Sequence, residues 1–216
     1  MNIMKTRNTF VNVKLTALII LSGVLGAGNV MATEEAEYTV VLSDDRFEVR
    51  SYKSHILAET RVDGDFEEAG SQAFGRLFKY ISGDNNARED VQMTSPVSQE
   101  AASEDIAMTS PVGQKRENNQ WLVSFMMPSS YTMDTIPEPT DLAVTLRQVP
   151  ARPIAAVTYS GFWSEDRYLS HKAELETWIE QQGLQVMGEP IWARYNPPFM
   201  PWFLRRNEIL IPIANP

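Results

Sequence analysis

The hydrophobic positions of this chain change their period along its length. From Phe47 to Tyr52 they alternate, with Phe47, Val49 and Ser51 on one side and Glu48, Arg50 and Tyr52 on the other, which is the two-residue period of a half-buried strand. The stretch His55–Val62 keeps that period, with Ile56, Ala58, Thr60 and Val62 sharing a face. The spacing then becomes helical. Phe66, Ala69, Ala73, Phe74, Leu77, Phe78 and Ile81 fall on one stripe, Asp65 and Glu68 form a capping pair at its start, and Gly83 follows its end. A helix is predicted over 66–82.

After a polar loop at 83–90, the run VQMTSPV at 91–97 recurs as IAMTSPV at 106–112, so Thr94–Pro96 and Thr109–Pro111 read as matching turns after short strands. Trp121–Met127 is a further strand, stopped by Pro128. The second half replays the first. Leu142, Val144 and Leu146 alternate, Ile154–Ser160 is extended, and Ser164 opens a second helix whose apolar positions Leu169, Leu175, Trp178 and Ile179 lead to Gly183. Leu184–Tyr195 returns as extended chain and Arg206–Ile213 closes the fold. Strand, strand, helix, strands thus occurs over about 38–127 and again over 142–213. Two helices on a curved antiparallel sheet, an α+β arrangement, would give each apolar face a partner.

Ahead of this domain, Lys5, Arg7 and Lys14 precede an apolar run at 15–27 that ends in small residues, the order of a signal peptide. Cleavage is expected after Ala32, leaving 33–216 as a periplasmic or secreted domain; the alternative is a retained N-terminal membrane anchor. Loss of three basic residues and no acid would take the formal charge from −9 to −12. Such acidity argues against nucleic acid as a partner, and no stable membrane insertion is expected after cleavage. The chain has no cysteine, which excludes disulfides, thiolate metal sites and covalent haem attachment through cysteine.

Candidate chemistry is sparse. His55, at the start of a strand, reads as solvated or locally hydrogen-bonded rather than as an iron ligand, and His171, among charged neighbours, reads as solvent-facing. Met93 and Met108, at matching repeat positions, read as core anchors of their turns rather than as thioether ligands. No nucleophile elbow, zinc motif or phosphate loop is present, so an enzyme is not expected. The stretch at 192–208 stands out. Trp192, Tyr195, Phe199, Trp202 and Phe203 form a large apolar load, Asn196-Pro197-Pro198 could wall a groove, and Arg194, Arg205 and Arg206 could pair with ligand carboxylates or with Glu189 and Glu208.

The EVRSY strand at 48–52, IAMTSPV at 106–112, Ser160-Gly161-Phe162, and RYNPP at 194–198 leading into WFLRRNEI at 202–209 together resemble the SOUL haem-binding family. The resemblance spans about 38–213. It implies a distorted antiparallel β-barrel with two external helices and a pseudo-twofold strand–helix–strand repeat, and a non-covalently held haem b or other tetrapyrrole. Where an axial histidine has been proposed in the family, this chain has Ser51. The resemblance also implies a hydrophobic groove by the first helix, here Phe66, Ala69, Phe74, Leu77 and Phe78, with Arg61 or Arg76 facing the propionates. The reading is an exported tetrapyrrole carrier or buffer. Its rivals are a protein-interaction or regulatory domain with an unidentified protein partner on the aromatic C-terminal surface, and a small-molecule hydrolase.

Overall fold

The computed structural model describes residues 33–88 and 103–216. The apolar run at 15–27 and the first repeat copy, with Met93 and Thr94–Pro96, lie outside the described residues. Beside two small ribbons of two-residue strands and a short 3₁₀ turn, nine longer strands and two helices make up the fold of the described residues. In chain order they are β1 (Tyr38–Asp44), β2 (Phe47–Tyr52), β3 (His55–Val62), α1 (Phe66–Ile81), β4 (Val112–Glu117), β5 (Gln120–Met126), β6 (Val144–Val149), β7 (Arg152–Tyr159), α2 (Glu165–Gln181), β8 (Ile191–Arg194) and β9 (Asn207–Pro212). They form one sheet in the order β6-β3-β5-β4-β8-β9-β7-β2-β1, every neighbouring pair antiparallel. The sheet is a half-barrel rather than a closed one, since β6 and β1 are its two edges.

Without β1, the order is a palindrome about the β4–β8 pair. The run β6-β3-β5-β4 matches β2-β7-β9-β8, so the first strand of each half joins the sheet of the other half. The helices obey the same symmetry: α1 lies on β3 and β5, and α2 on the equivalent β7 and β9. Both helices start and stop where local chemistry dictates. Asp65 accepts from the backbone N–H groups of Glu67 and Glu68 at 3.1 and 2.8 Å, satisfying donors that the first helical turn leaves free. Gly83 and Gly183 follow the two helices with φ of +106° and +67°, a conformation glycine adopts without a Cβ clash.

One sheet face packs under the helices around Val49, Ala58, Leu77, Val123, Phe125, Leu175, Ile209 and Ile211. The other face carries a smaller cluster of Tyr52, Ile154, Ala156, Ala193 and Leu210. The alternation expected for β3 holds, with Ile56, Ala58, Thr60 and Val62 all buried. Three expectations are corrected. β2 is buried on both faces, because Arg50 and Tyr52 enter a network on the face away from the helices. Leu142 is 96% exposed, since a turn in which Asp141 accepts from the N–H groups of Ala143 and Val144 delays the strand to Val144. On α2, Leu169 is exposed and Tyr168 takes the buried position.

That network centres on Glu208. Its carboxylate accepts from Arg50 Nη1 and Nη2 at 2.8 and 3.1 Å, from Arg206 Nε at 3.1 Å, from Tyr195 Oη at 2.6 Å and from Thr158 Oγ1 at 3.1 Å. Burial alone would raise its pKa. The hydrogen bonds and charge of Arg50, with Arg206 and Tyr195, outweigh burial and hold it below the usual carboxylate range.

Candidate functional site

A cleft of about 680 Å³ opens between α1 and the chain that follows β8, within the ~300–1,000 Å³ typical of small-molecule sites. Phe66, Gly70, Phe74 and Phe78 recur every fourth residue and form its α1 side; Trp163, Trp192, Met108 and Asn196–Pro198 supply much of the rest. Phe66 stacks on Trp192 at 4.7 Å and 25°, and Phe74 on Phe78 at 5.9 Å and 11°. Phe74 and Phe78 keep 38% and 47% of their surface exposed. Flat apolar rings therefore stand open to the cleft.

Within this apolar lining sits one cation. The Arg194 guanidinium lies 4.6 Å from the Trp192 ring centre and 5.4 Å from that of Trp163, and its Nη2 reaches Gln114 Oε1 at 3.4 Å. Its Nε is buried with no hydrogen-bond partner, and no acid pairs with it among the described residues. Burial draws its pKa down to about 10, so it is still charged at neutral pH. Strand register explains the missing partner. Ala193 is paired with Glu208 and Arg194 with Asn207, so Glu208 projects to the opposite face of the sheet.

Gly70 makes this arrangement possible. A Cβ there would lie 3.1 Å from Gln114 Oε1 and 3.3 Å from Arg194 Nη1, so the missing side chain lets the guanidinium lie against α1. Gly70→Leu is expected to displace Arg194 and fill the cleft while leaving the circular dichroism of the fold in place. Loss of at least about tenfold in ligand affinity, some 1.4 kcal/mol, is the expected titration result.

The structure brings Phe66, Phe74 and Phe78 into one cleft and leaves the other residues expected there elsewhere. Ala69 and Leu77 are wholly buried in the core beneath α1. Arg61 pairs with Glu117 at 2.6 Å, and Arg76 with Asp141 at 3.3 Å and Thr60 Oγ1 at 2.8 Å. Ser51 is exposed and outside the cleft lining. His55 Nδ1 is bonded to the Lys53 carbonyl, as local bonding predicted. His171 is not solvent-facing, for its ring packs 3.9 Å from that of Tyr159 and its Nδ1 meets Glu174 at 2.9 Å. The 192–208 aromatics divide. Trp192 is core, whereas Phe199, Trp202 and Phe203 are exposed. Gly70, Gln114 and Trp163 carry no motif; the only local signal was a glycine on the apolar stripe of a helix.

A half-barrel with an apolar, ring-lined cleft and one arginine without an acid partner among the described residues offers a surface suited to a flat apolar molecule that carries an acid group. Comparison with known proteins places the chain more closely. The SOUL heme-binding protein family model matches residues 33–212, and the chain belongs to this family. It is similar to Heme-binding protein 1 of Xenopus laevis, 29% identical over 166 residues covering 76% of this chain and 81% of the relative. It is also similar to Heme-binding protein 1 of Mus musculus, 26% identical over 168 residues, 77% of this chain and 83% of the relative. In fold it is similar to the C-terminal domain of EcmrR, with a TM-score of 0.58 at 11% identity, covering 83% of this chain and 99% of that one.

Proposed function

We propose that the protein is an exported, non-covalent carrier or buffer of haem b or another tetrapyrrole, held in the cleft beside α1. The observation that carries this reading is Arg194: a charged, half-buried guanidinium with an orphaned Nε against apolar rings. A tetrapyrrole supplies what that environment lacks, a flat apolar disc for the rings and a propionate for the cation. Bound haem would bring an iron centre and its absorption bands. This chain's own part is to stack the disc on Phe74 and Phe78, exclude water, and anchor a carboxylate at Arg194. Among the described residues the cleft lining holds no histidine and one thioether, that of Met108. Binding, not catalysis, is the reading that the family supports. Export rests on the basic-then-apolar order of residues 1–32.

Titration with haemin and, in parallel, with iron-free protoporphyrin tests this reading. Both are expected to saturate near one per chain with similar affinity, because the contacts are to the disc and its propionate. Uptake that rises linearly without saturation would sink it. A second reading, docking of a protein partner, draws on the exposed Phe199, Trp202 and Phe203. In that case Trp202→Ala weakens retention of a co-purifying protein and leaves the porphyrin titration unchanged.

A further inference from the structure

The face of the sheet away from the helices holds a second arginine, this one without a side-chain partner among the described residues. Along β7, Ala155, Val157 and Tyr159 face the helices, whereas Ile154 and Ala156 belong to the cluster on the other side; Arg152 shares the parity of the latter pair. It lines a cavity of about 70 Å³ with Leu57, Met126, Ile154 and Leu210. That cavity shares Ala36, His55 and Met126 with a neighbouring recess of about 340 Å³. Among the described residues Arg152 alone of the arginines has a side chain with neither a hydrogen bond nor an ion pair, and its Nε is buried. Glu59, the acid whose charge reaches Arg152, is already clasped by Arg147 Nε and Nη2 at 2.7 and 2.6 Å.

We propose that this cavity is a second binding site, separate from the helix-side cleft, for a short-chain monocarboxylate whose acid group pairs with Arg152 and whose alkyl tail lies on Leu57, Met126 and Ile154. Charge complementarity selects a monoanion. A phosphate or dicarboxylate would need more donors than one guanidinium in an apolar lining. The site is independent of the tetrapyrrole reading and stands if that reading fails.

His55 reports on the same cavity. A backbone carbonyl can only accept, so Nδ1 donates to Lys53 at 2.9 Å and Nε2 carries the lone pair of the neutral ring. Burial first, then the charges of Arg152 and Arg147, hold the ring's pKa below its usual value, against the raising effect of the Lys53 hydrogen bond. An anion on Arg152 would offset one of those charges.

The test is an NMR titration of the protein with acetate, butanoate, hexanoate and octanoate, followed at the rings of its two histidines. Binding is expected to saturate, with affinity rising about fourfold per added methylene until the cavity is filled. At saturation the titration midpoint of His55 moves up. Arg152→Gln is expected to lose at least tenfold in carboxylate affinity and to show the raised His55 midpoint without ligand, with its haemin titration unchanged. Arg152→Lys, which keeps the charge, loses less. The proposal is overturned if no carboxylate saturates, if Arg152→Gln binds as well as the parent, or if protoporphyrin displaces the carboxylate, which would put it in the helix-side cleft.

Discussion

Glu208→Ala is expected to destabilise the fold by about 3 kcal/mol, the lower end of the range for breaking a buried ion pair. Glu208 has no exposed surface, and its removal leaves the Arg50 guanidinium, itself buried, without its main counter-charge. The loss is limited because Arg50 keeps Glu48 at 2.6 Å and Tyr52 at 3.2 Å, and Arg206 keeps Glu35 at 2.8 Å. For a domain of this size the Tm falls by roughly 6–12 °C. The double variant Arg50→Met with Glu208→Met should lose less than the sum of the single changes, since neither charge is then stranded. pH dependence follows from the same group. Its folded pKa is depressed, so its stabilisation is present above the ordinary carboxylate range and is lost as pH falls through the folded value. Chemical denaturation between neutral pH and pH 3 should show a flatter stability profile for Glu208→Gln than for the parent. An equal slope in the two would count against the network.

Arg194→Gln is expected to weaken haemin and protoporphyrin binding by roughly 10–100-fold, the equivalent of about 1.5–3 kcal/mol for a hydrogen bond to a charged group. Fold stability should be unchanged or slightly raised. The parent guanidinium is half-buried and has no ion-pair partner among the described residues, so the burial cost that its loss removes offsets the long hydrogen bond to Gln114 and the ring contacts with Trp192 and Trp163. Affinity falling while the Tm holds or rises is the signature of a residue kept for its ligand. A matched loss of both would make Arg194 a structural residue. Phe74→Ala should weaken both porphyrins alike, because it removes a stacking surface and no charge.

Much of the fold was legible in local pattern. The face shared by Ile56, Ala58, Thr60 and Val62 needs only a period of two, and α1 needs only its stripe and its Asp65 cap. Errors arose where the deciding contact is distant in sequence. Arg50 alternates as an outward-facing charge, and nothing near β2 shows that Glu208, on the strand beyond β7, will meet it. On α2, by contrast, the spacing itself decides, because Tyr168 lies seven residues before Leu175, two turns away on the same face, and Leu169 only six. Tyr168 is buried because Phe66, 5.4 Å away, and Trp192 stand opposite it.

The candidate site was half legible. The stripe of phenylalanines and the Asn196-Pro197-Pro198 wall could be read directly, whereas Arg194 was only one of three arginines, with Arg205 and Arg206, that could meet a ligand carboxylate, and the groove cation was expected to be Arg61 or Arg76. Which arginine lacks a partner could not be read, because that depends on register. The register of β8 on β9 sends Glu208 to Arg50 and Arg206 and leaves Arg194 without an acid partner among the described residues. Arg61 and Arg76 lie closer to the first helix in sequence, yet Glu117 and Asp141 come to them from other strands and turns.

The claim on which the account turns is the place of the tetrapyrrole, and amide chemical-shift mapping with iron-free protoporphyrin addresses it most directly. Shifts concentrated on Phe66–Phe78, Met108–Ser110 and Trp192–Asn196 are the predicted result. Shifts centred instead on His55, Met126 and Arg152, with those segments unmoved, would contradict it.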